Sequence, residues 1–242
     1  MDITEIIATF EQSPEKFPYA AIDGAIRQKD QIVPVLLALI ANPAQLFQKC
    51  EQQPDYMGHV YAFFLLAQFR ITRAFPLIIK IYSRPREQVD LLGWELITED
   101  LPRIVASVYA GDLTPIKTLI ENEDADEYVR DAMLNALMTL VIHGKMPREE
   151  LTEYCTFLIQ EKLDRAPSFI WCGLAKTCAE LAEQGLLEDL QAIFAEDLAD
   201  PSYITLDEVE ELLMRGWDQK FTKLATEPYY QLVEDVAREM DW

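Results

Sequence analysis

Apolar residues recur along this chain at helical spacing. Between 126 and 142, Val129, Ala132, Met133, Ala136, Leu137, Leu140 and Val141 form one continuous stripe. Leu134, Met138 and Ile142 add a second stripe beside it, and Arg130, Asp131, Asn135, Thr139 and His143 stay polar in nearly one row. A helix this apolar is covered on most of its sides. Middle layers of a stack of helix pairs have that character, and small Ala132 and Ala136 permit close approach of a neighbour. The pattern predicts an all-α protein, an α-solenoid of about five to six antiparallel helix pairs rather than a four-helix bundle.

Repetition supports the same architecture. "QIVPVLLALI", "RAFPLIIKIY" and "DLTPIKTLI" each set a proline ahead of an apolar run, and Pro34, Pro76 and Pro115 are spaced 42 and 39 residues apart. Periods near 40 belong to helical-hairpin repeats. Proline costs about 3 kcal/mol inside a helix, so these three predict first turns, with Asp30, Thr72 and Asp112 upstream as N-caps. Partner helices are predicted over 20–28, 57–70 and 93–109. Later pairs are 126–143 with 148–162 and 168–184 with 187–197. "TLDE" at 205–208 reads as a capping box ahead of a closing helix. The expected organisation is one repeat domain over 1–242: a capping helix at 1–16, repeats at 17–200 and an acidic helical cap at 201–242.

Two stretches carry resemblances. "VRDAMLNAL" with its preceding Asp resembles the first helix of a HEAT repeat, which implies Asp and Arg side chains tying neighbouring repeats together. "YAFFLLAQFR" (61–70), "ITEDLPRIVASVYAGD" (97–112) and "DEYVRDAMLNAL" (126–137) are similar, in that order, to a bacterial family known only as domain of unknown function number eleven-eighty-six. That likeness spans about residues 17–200. It implies a helical repeat fold and supplies no activity. The chain has Gly93-Trp94 where the family pattern has Gly-Asp, and it ends "VAREMDW" where some relatives carry a small cysteine-rich zinc motif.

Charge narrows the partners. The 242 residues carry a formal net charge of -21, from 42 acids and 21 bases. Residues 183–242 alone hold 16 acids and 4 bases. Such a field repels phosphate, so neither direct nucleic-acid binding nor an anionic membrane surface is expected. "MDITEIIATF" reads as an amphipathic helix bearing acids, unlike a secretory signal, and no run approaches a membrane span. The expectation is a cytoplasmic protein, with Cys50, Cys155, Cys172 and Cys178 as buried small hydrophobes.

Candidate chemistry is sparse. No serine elbow, zinc helix, phosphate loop or dinucleotide turn occurs, and the chain is expected to be neither an enzyme nor a cofactor protein. His143 precedes Gly144 at a predicted helix end, where it suits terminal carbonyls. His59 falls near a helix start, in a capping or surface role. "ENEDADE" at 121–127 lacks the glycine and closing glutamate of a calcium loop and reads as a solvated helix start. Trp94, Tyr109, Trp171 and Trp217 are expected in core packing, with a ligand groove as the alternative.

One charge reversal stands out. No acid lies between Asp55 and Glu87, whereas Arg70, Arg73, Lys80, Arg84 and Arg86 all do. The five form a candidate basic patch for an acidic or phosphorylated partner, or else pair with the protein's own acids. Three function classes follow. The first is a non-catalytic scaffold binding another protein along a helical face. The second is an acidic mimic of DNA built on the C-terminal residues. The third is an enzyme or small-ligand receptor with a pocket in the superhelix.

Overall fold

The computed structural model describes residues 1–12 and 16–240. Residues 13–15 of the expected N-terminal cap and 241–242 of the expected C-terminal cap lie outside them. All regular structure among the described residues is helical, as the periodicity predicts. The chain divides into two compact units, one of 1–96, 103–115 and 232–242, the other of 97–102 and 116–231.

The first unit is built on α1 (Ile3–Phe10), α2 (Tyr19–Arg27), α3 (Lys29–Ile40), α4 (Pro43–Gln52), α5 (Gly58–Gln68), α6 (Phe75–Tyr82) and α7 (Arg86–Val89). Most of α8 (Leu101–Val108) belongs to it as well. Its core helix is α5, whose residues from Gly58 to Ala67 are all buried. Phe10 of α1 stacks on Tyr61 at 4.5 Å, and Phe63 tilts against Tyr82 at 6.0 Å. Asp2 and Glu5 close a capping box on α1, which satisfies N–H groups that a helix start otherwise leaves to water.

The second unit comprises most of α9 (Thr114–Glu121), α10 (Glu127–Ile142), α11 (Arg148–Phe157), α12 (Phe169–Glu180), α13 (Leu187–Ala195), α14 (Leu206–Met214) and α15 (Trp217–Leu224). The short α16 (Val236–Glu239) returns to the first unit. Here α10 is central, with 13 of its 16 residues buried, and α12 is its main neighbour. Asp126 caps α10 by accepting from the N–H groups of Tyr128 and Val129. Arg130 reaches back, its Nε donating to the Ile120 carbonyl at 2.7 Å. Asp131 points the other way, against Gly173 of α12. Besides adjacent pairs such as α1 with α2, helices two apart in the chain pack closely, α3 with α5, α10 with α12 and α12 with α14, which is compatible with α-solenoid layers.

Thr72 does not cap α6: it opens a 3₁₀ turn, Thr72–Ala74, and Ala74 holds the cap position without a side-chain bond. Three further local expectations need correction. Pro34 is not in a first turn: α3 starts at Lys29, so the proline is its sixth residue. The missing N–H deprives the Asp30 carbonyl, which sits on the exposed first turn within reach of water, so the interruption costs less there. Asp30 is therefore inside the helix, and the N-cap position is Gln28. Trp94 is 42% exposed instead of packed in the core, because it opens a helical turn just after Gly93, whose φ of 103° turns the chain. His59 is neither a cap nor a surface residue. It is 3% exposed, its Nε2 is 3.1 Å from the Leu92 carbonyl oxygen, and burial pulls its pKa down to about 4.

Other expectations stand. Pro76 occupies the first turn of α6, and the Thr205–Glu208 capping box on α14 is complete. All four cysteines are free and buried. The predicted 93–109 helix begins with a π-helical stretch, Leu96–Asp100, just ahead of Pro102. A widened turn suits a site where proline removes the regular bond to Thr98. Among the described residues no single helix is long and apolar enough to cross a membrane.

Candidate functional site

The five basic residues meet different environments. Arg70 follows α5 in the left-handed conformation (φ 57°), a position that usually favours glycine. Its guanidinium donates to the carbonyls of Ala67 at 2.7 Å and Val233 at 2.6 Å, and it pairs with Glu234. These bonds fasten the C-terminal segment onto α5, so Arg70 is engaged in holding the first unit together. Arg86 pairs with Asp90 at 3.7 Å, and Arg84 donates from Nε to Gln88 at 3.2 Å. Arg73 and Lys80 are exposed. Much of the positive charge of the patch is thus held by the chain itself.

His143 lies at the end of α10, as expected, but its Nε2 meets the Tyr230 carbonyl at 3.0 Å rather than the carbonyls of its own helix. Among the described residues, no three His, Cys, Asp or Glu side chains converge as a metal site would require.

A different surface of the second unit combines shape with unusual composition. Tyr128, Phe169 and Tyr203 form a ladder: Tyr128 and Phe169 are 4.5 Å apart between ring centroids, and Phe169 and Tyr203 are 4.7 Å apart at 82°. Tyr203 is 58% exposed. The ladder borders a groove of about 360 Å³ whose acidic lining residues are Glu127, Asp197 and Asp200. No basic residue lines it.

Each rung is fixed by local structure. Ser168 precedes α12 in an extended conformation but makes no capping bond of its own. Glu127, from the first turn of α10, supplies the cap instead. Its Oε2 accepts from the Phe169 N–H at 2.6 Å and from the Ser168 hydroxyl at 2.9 Å. The carboxylate also suits the positive end of α12. This cross-helix cap sets the base of Phe169 beside Tyr128.

Tyr203 is presented by the turn that follows α13. Asp197 takes φ 54° there, which Asp tolerates better than most residues, and the Leu198 N–H returns to the Ile193 carbonyl at 3.0 Å. Asp200 accepts from the Ser202 N–H at 2.8 Å, and this bond holds the Asp200 carboxyl below its ordinary range. The Asp200 N–H meets Cys172 Sγ of α12 at 3.3 Å, and the Ser168 N–H donates to the Leu198 carbonyl at 3.3 Å. The turn is therefore tied to α12 at two points.

Phe169 and Tyr203 also border a smaller cleft of about 150 Å³, lined in part by Asp131, Asn135, Lys176 and Tyr229. Asp131 Oδ2 accepts from Asn135 Nδ2 at 3.0 Å. Burial raises the Asp131 pKa to about 7, with Glu180 pushing the same way and Lys176 and Asn135 opposing. Lys176 Nζ lies 5.3 Å from the centre of the Tyr229 ring and 3.9 Å from Glu180 Oε1. Glu180 in turn accepts from the Tyr230 hydroxyl at 2.7 Å. The cleft holds polar groups that are mostly engaged with one another, whereas the groove beside it exposes rings and carboxylates.

The ladder was not foreseen from sequence. Tyr128 and Phe169 lie near the starts of the predicted 126–143 and 168–184 helices, and Tyr203 in the expected cap at 201–242, with nothing to single them out. The available signals were the Asp-Pro-Ser turn at 200–202, which marks a tight bend, and the aromatic residue that follows it. Nothing in the sequence joins that bend to Tyr128, 75 positions earlier.

Comparison with known proteins bears on the family and not on the groove. The chain is 34% identical over 213 residues to an "Uncharacterized protein" of Chlamydia trachomatis serovar D, covering 88% of this chain and 84% of the relative. It is 32% identical over 243 residues to an "Uncharacterized protein" of Chlamydia muridarum, covering 100% of this chain and 96% of that one. No solved structure matches. The model of a family described as "Protein of unknown function (DUF1186)" matches residues 1–242, and the chain belongs to that family.

Proposed function

We propose that the protein is a non-catalytic scaffold that binds another protein through the Tyr128–Phe169–Tyr203 face of its second unit. The single observation that carries this reading is the ring ladder, exposed at Tyr203 and half-buried at Tyr128 and Phe169, held by the Glu127 cap and by a turn tied to α12. Aromatic residues bring large contact area at low conformational cost and are enriched at protein interfaces. A groove near 360 Å³ accommodates side chains of a partner. A rigid ladder of this kind is pre-organised, so less ordering entropy opposes association. A cytoplasmic setting suits the four free thiols.

Affinity capture from native lysate tests the reading when wild type is compared with the variant Tyr128→Ala/Tyr203→Ala. Tyr203 is exposed and Tyr128 half-buried, and retention of the fold by the variant is checked by circular dichroism and melting. The expected result is a saturable protein partner recovered by the wild type and reduced at least about tenfold by the variant, the scale of losing one or two aromatic anchors. A partner recovered equally by both, or no saturable partner under several conditions, would count against the scaffold.

A further inference from the structure

We propose that the groove beside the Tyr128–Phe169–Tyr203 ladder receives an arginine side chain from a basic segment of the partner protein. The inference rests on the scaffold reading and names the chemistry of its occupant. Charge complementarity is the first argument. Glu127, Asp197 and Asp200 line the groove, no basic side chain does, and the whole chain carries a net charge of -21. Asp197 and Asp200 are exposed and take part in no ion pair among the described residues, and the Ser202 N–H helps to keep Asp200 ionised. Their charge is directed at solvent and available to a guest.

Ring geometry is the second argument. Phe169 and Tyr203 pack edge to face at 82° and both line the groove, and Tyr203 is 58% exposed, so ring surface not used in that contact is open to a guest. A cation is attracted to such a face by the ring quadrupole, and desolvation within a groove strengthens the attraction. Planar guanidinium stacks on an aromatic face while its edge hydrogens fork towards carboxylates; a lysine ammonium makes only the point-charge contact. The groove sets both partners of guanidinium side by side. The chain already uses this pairing elsewhere: the Arg165 guanidinium lies 5.4 Å from the centre of the Trp171 ring and pairs with Glu196 at 2.7 Å.

The test uses the full chain and three capped, fluorescein-labelled decapeptides of one design, carrying three arginines, three lysines or three citrullines. Citrulline keeps the planar shape and loses the charge. Fluorescence anisotropy at 0.15 M salt should show saturable binding of the arginine peptide. The citrulline peptide should bind at least about tenfold more weakly, and the lysine peptide several-fold more weakly. Tyr128→Ala/Tyr203→Ala leaves the net charge at -21 and should weaken the arginine peptide about tenfold. Equal binding of arginine and lysine peptides that is indifferent to the ring substitutions would show general attraction to an acidic protein and would overturn the proposal. So would absence of binding by the arginine peptide. If that peptide fails while lysate capture still depends on Tyr128 and Tyr203, the scaffold stands and the arginine assignment falls. If both fail, both fall.

Discussion

Replacing Gly173 with alanine should lower stability by about 3 kcal/mol, read as a fall in denaturation midpoint at unchanged denaturant slope. A β-carbon at position 173 would sit well inside contact distance of Asp131 Oδ1 and 3.0 Å from Asp131 Cγ. The carboxylate has little room to retreat, because Asn135 holds its other oxygen at 3.0 Å and α12 packs along α10. Either the helices separate or the carboxylate is driven from its bond, and both are costly in a packed interior. In an Asp131→Ala background the obstacle is gone. There Gly173→Ala should be neutral or mildly stabilising, since alanine is the better helix former by about 1 kcal/mol. A loss of the same size in both backgrounds would assign the effect to some other neighbour.

Asp131 should also make stability fall with rising pH, against the trend of most carboxylates. Its folded pKa is raised from 3.8 to about 7, mainly by burial. The folded protein then holds a proton that the unfolded chain releases near pH 4. Folding is therefore favoured most below the unfolded value, and this contribution is lost as pH rises from about 4 to about 7, after which it stays constant. Three pKa units correspond to at most about 4 kcal/mol, and the part of the side chain open to the cleft reduces this to about 2–3 kcal/mol. Asp131→Asn removes the titration and retains an oxygen for the Asn135 amide. Lys176, Glu180, Tyr229, Tyr230 and Cys172 face the same region and remain in both proteins, so the difference between them isolates Asp131. The variant should gain about 2–3 kcal/mol on wild type between pH 5 and pH 8 in parallel urea titrations. A constant difference across that range would mean that Asp131 is already ionised at pH 5.

Much of the fold was legible because helical periodicity is a local property. The buried faces of α10, the capping box at Thr205 and the first-turn Pro76 are all read within a few residues of one another. Pro34 was misread because the tolerance of a proline depends on whether the carbonyl it leaves unpaired meets water, which tertiary structure decides. Trp94 and His59 exchanged expected places for the same reason. Hydrophobic character alone does not say which aromatic is exposed, and a histidine that finds Leu92 across 33 positions is hidden from any local window.

The candidate site was far less legible. The basic residues 70–86 are adjacent in sequence and suggested a patch, yet folding brings Glu234 back from the C-terminus to engage Arg70. Conversely, Tyr128, Phe169 and Tyr203 share no pattern in the chain and meet only through a cap in which Glu127 serves a helix 42 positions away. Several of the C-terminal acids that suggest DNA mimicry have partners within the chain. Glu208 closes a capping box, Glu211 pairs with Arg215 at 2.5 Å, Glu227 with Lys223 at 3.3 Å and Glu239 with Arg103 at 2.8 Å.

Photo-crosslinking from the ladder itself tests the partner-binding account most directly. A benzophenone side chain placed at position 203 in the intact chain, and separately at exposed Glu51 on α4 as a control, is irradiated in living cells. The account predicts a discrete protein adduct from position 203 that is missing from position 51 and fades when Phe169 is changed to alanine. Adducts equal at the two positions, or none at 203 while the fold is intact, would contradict it.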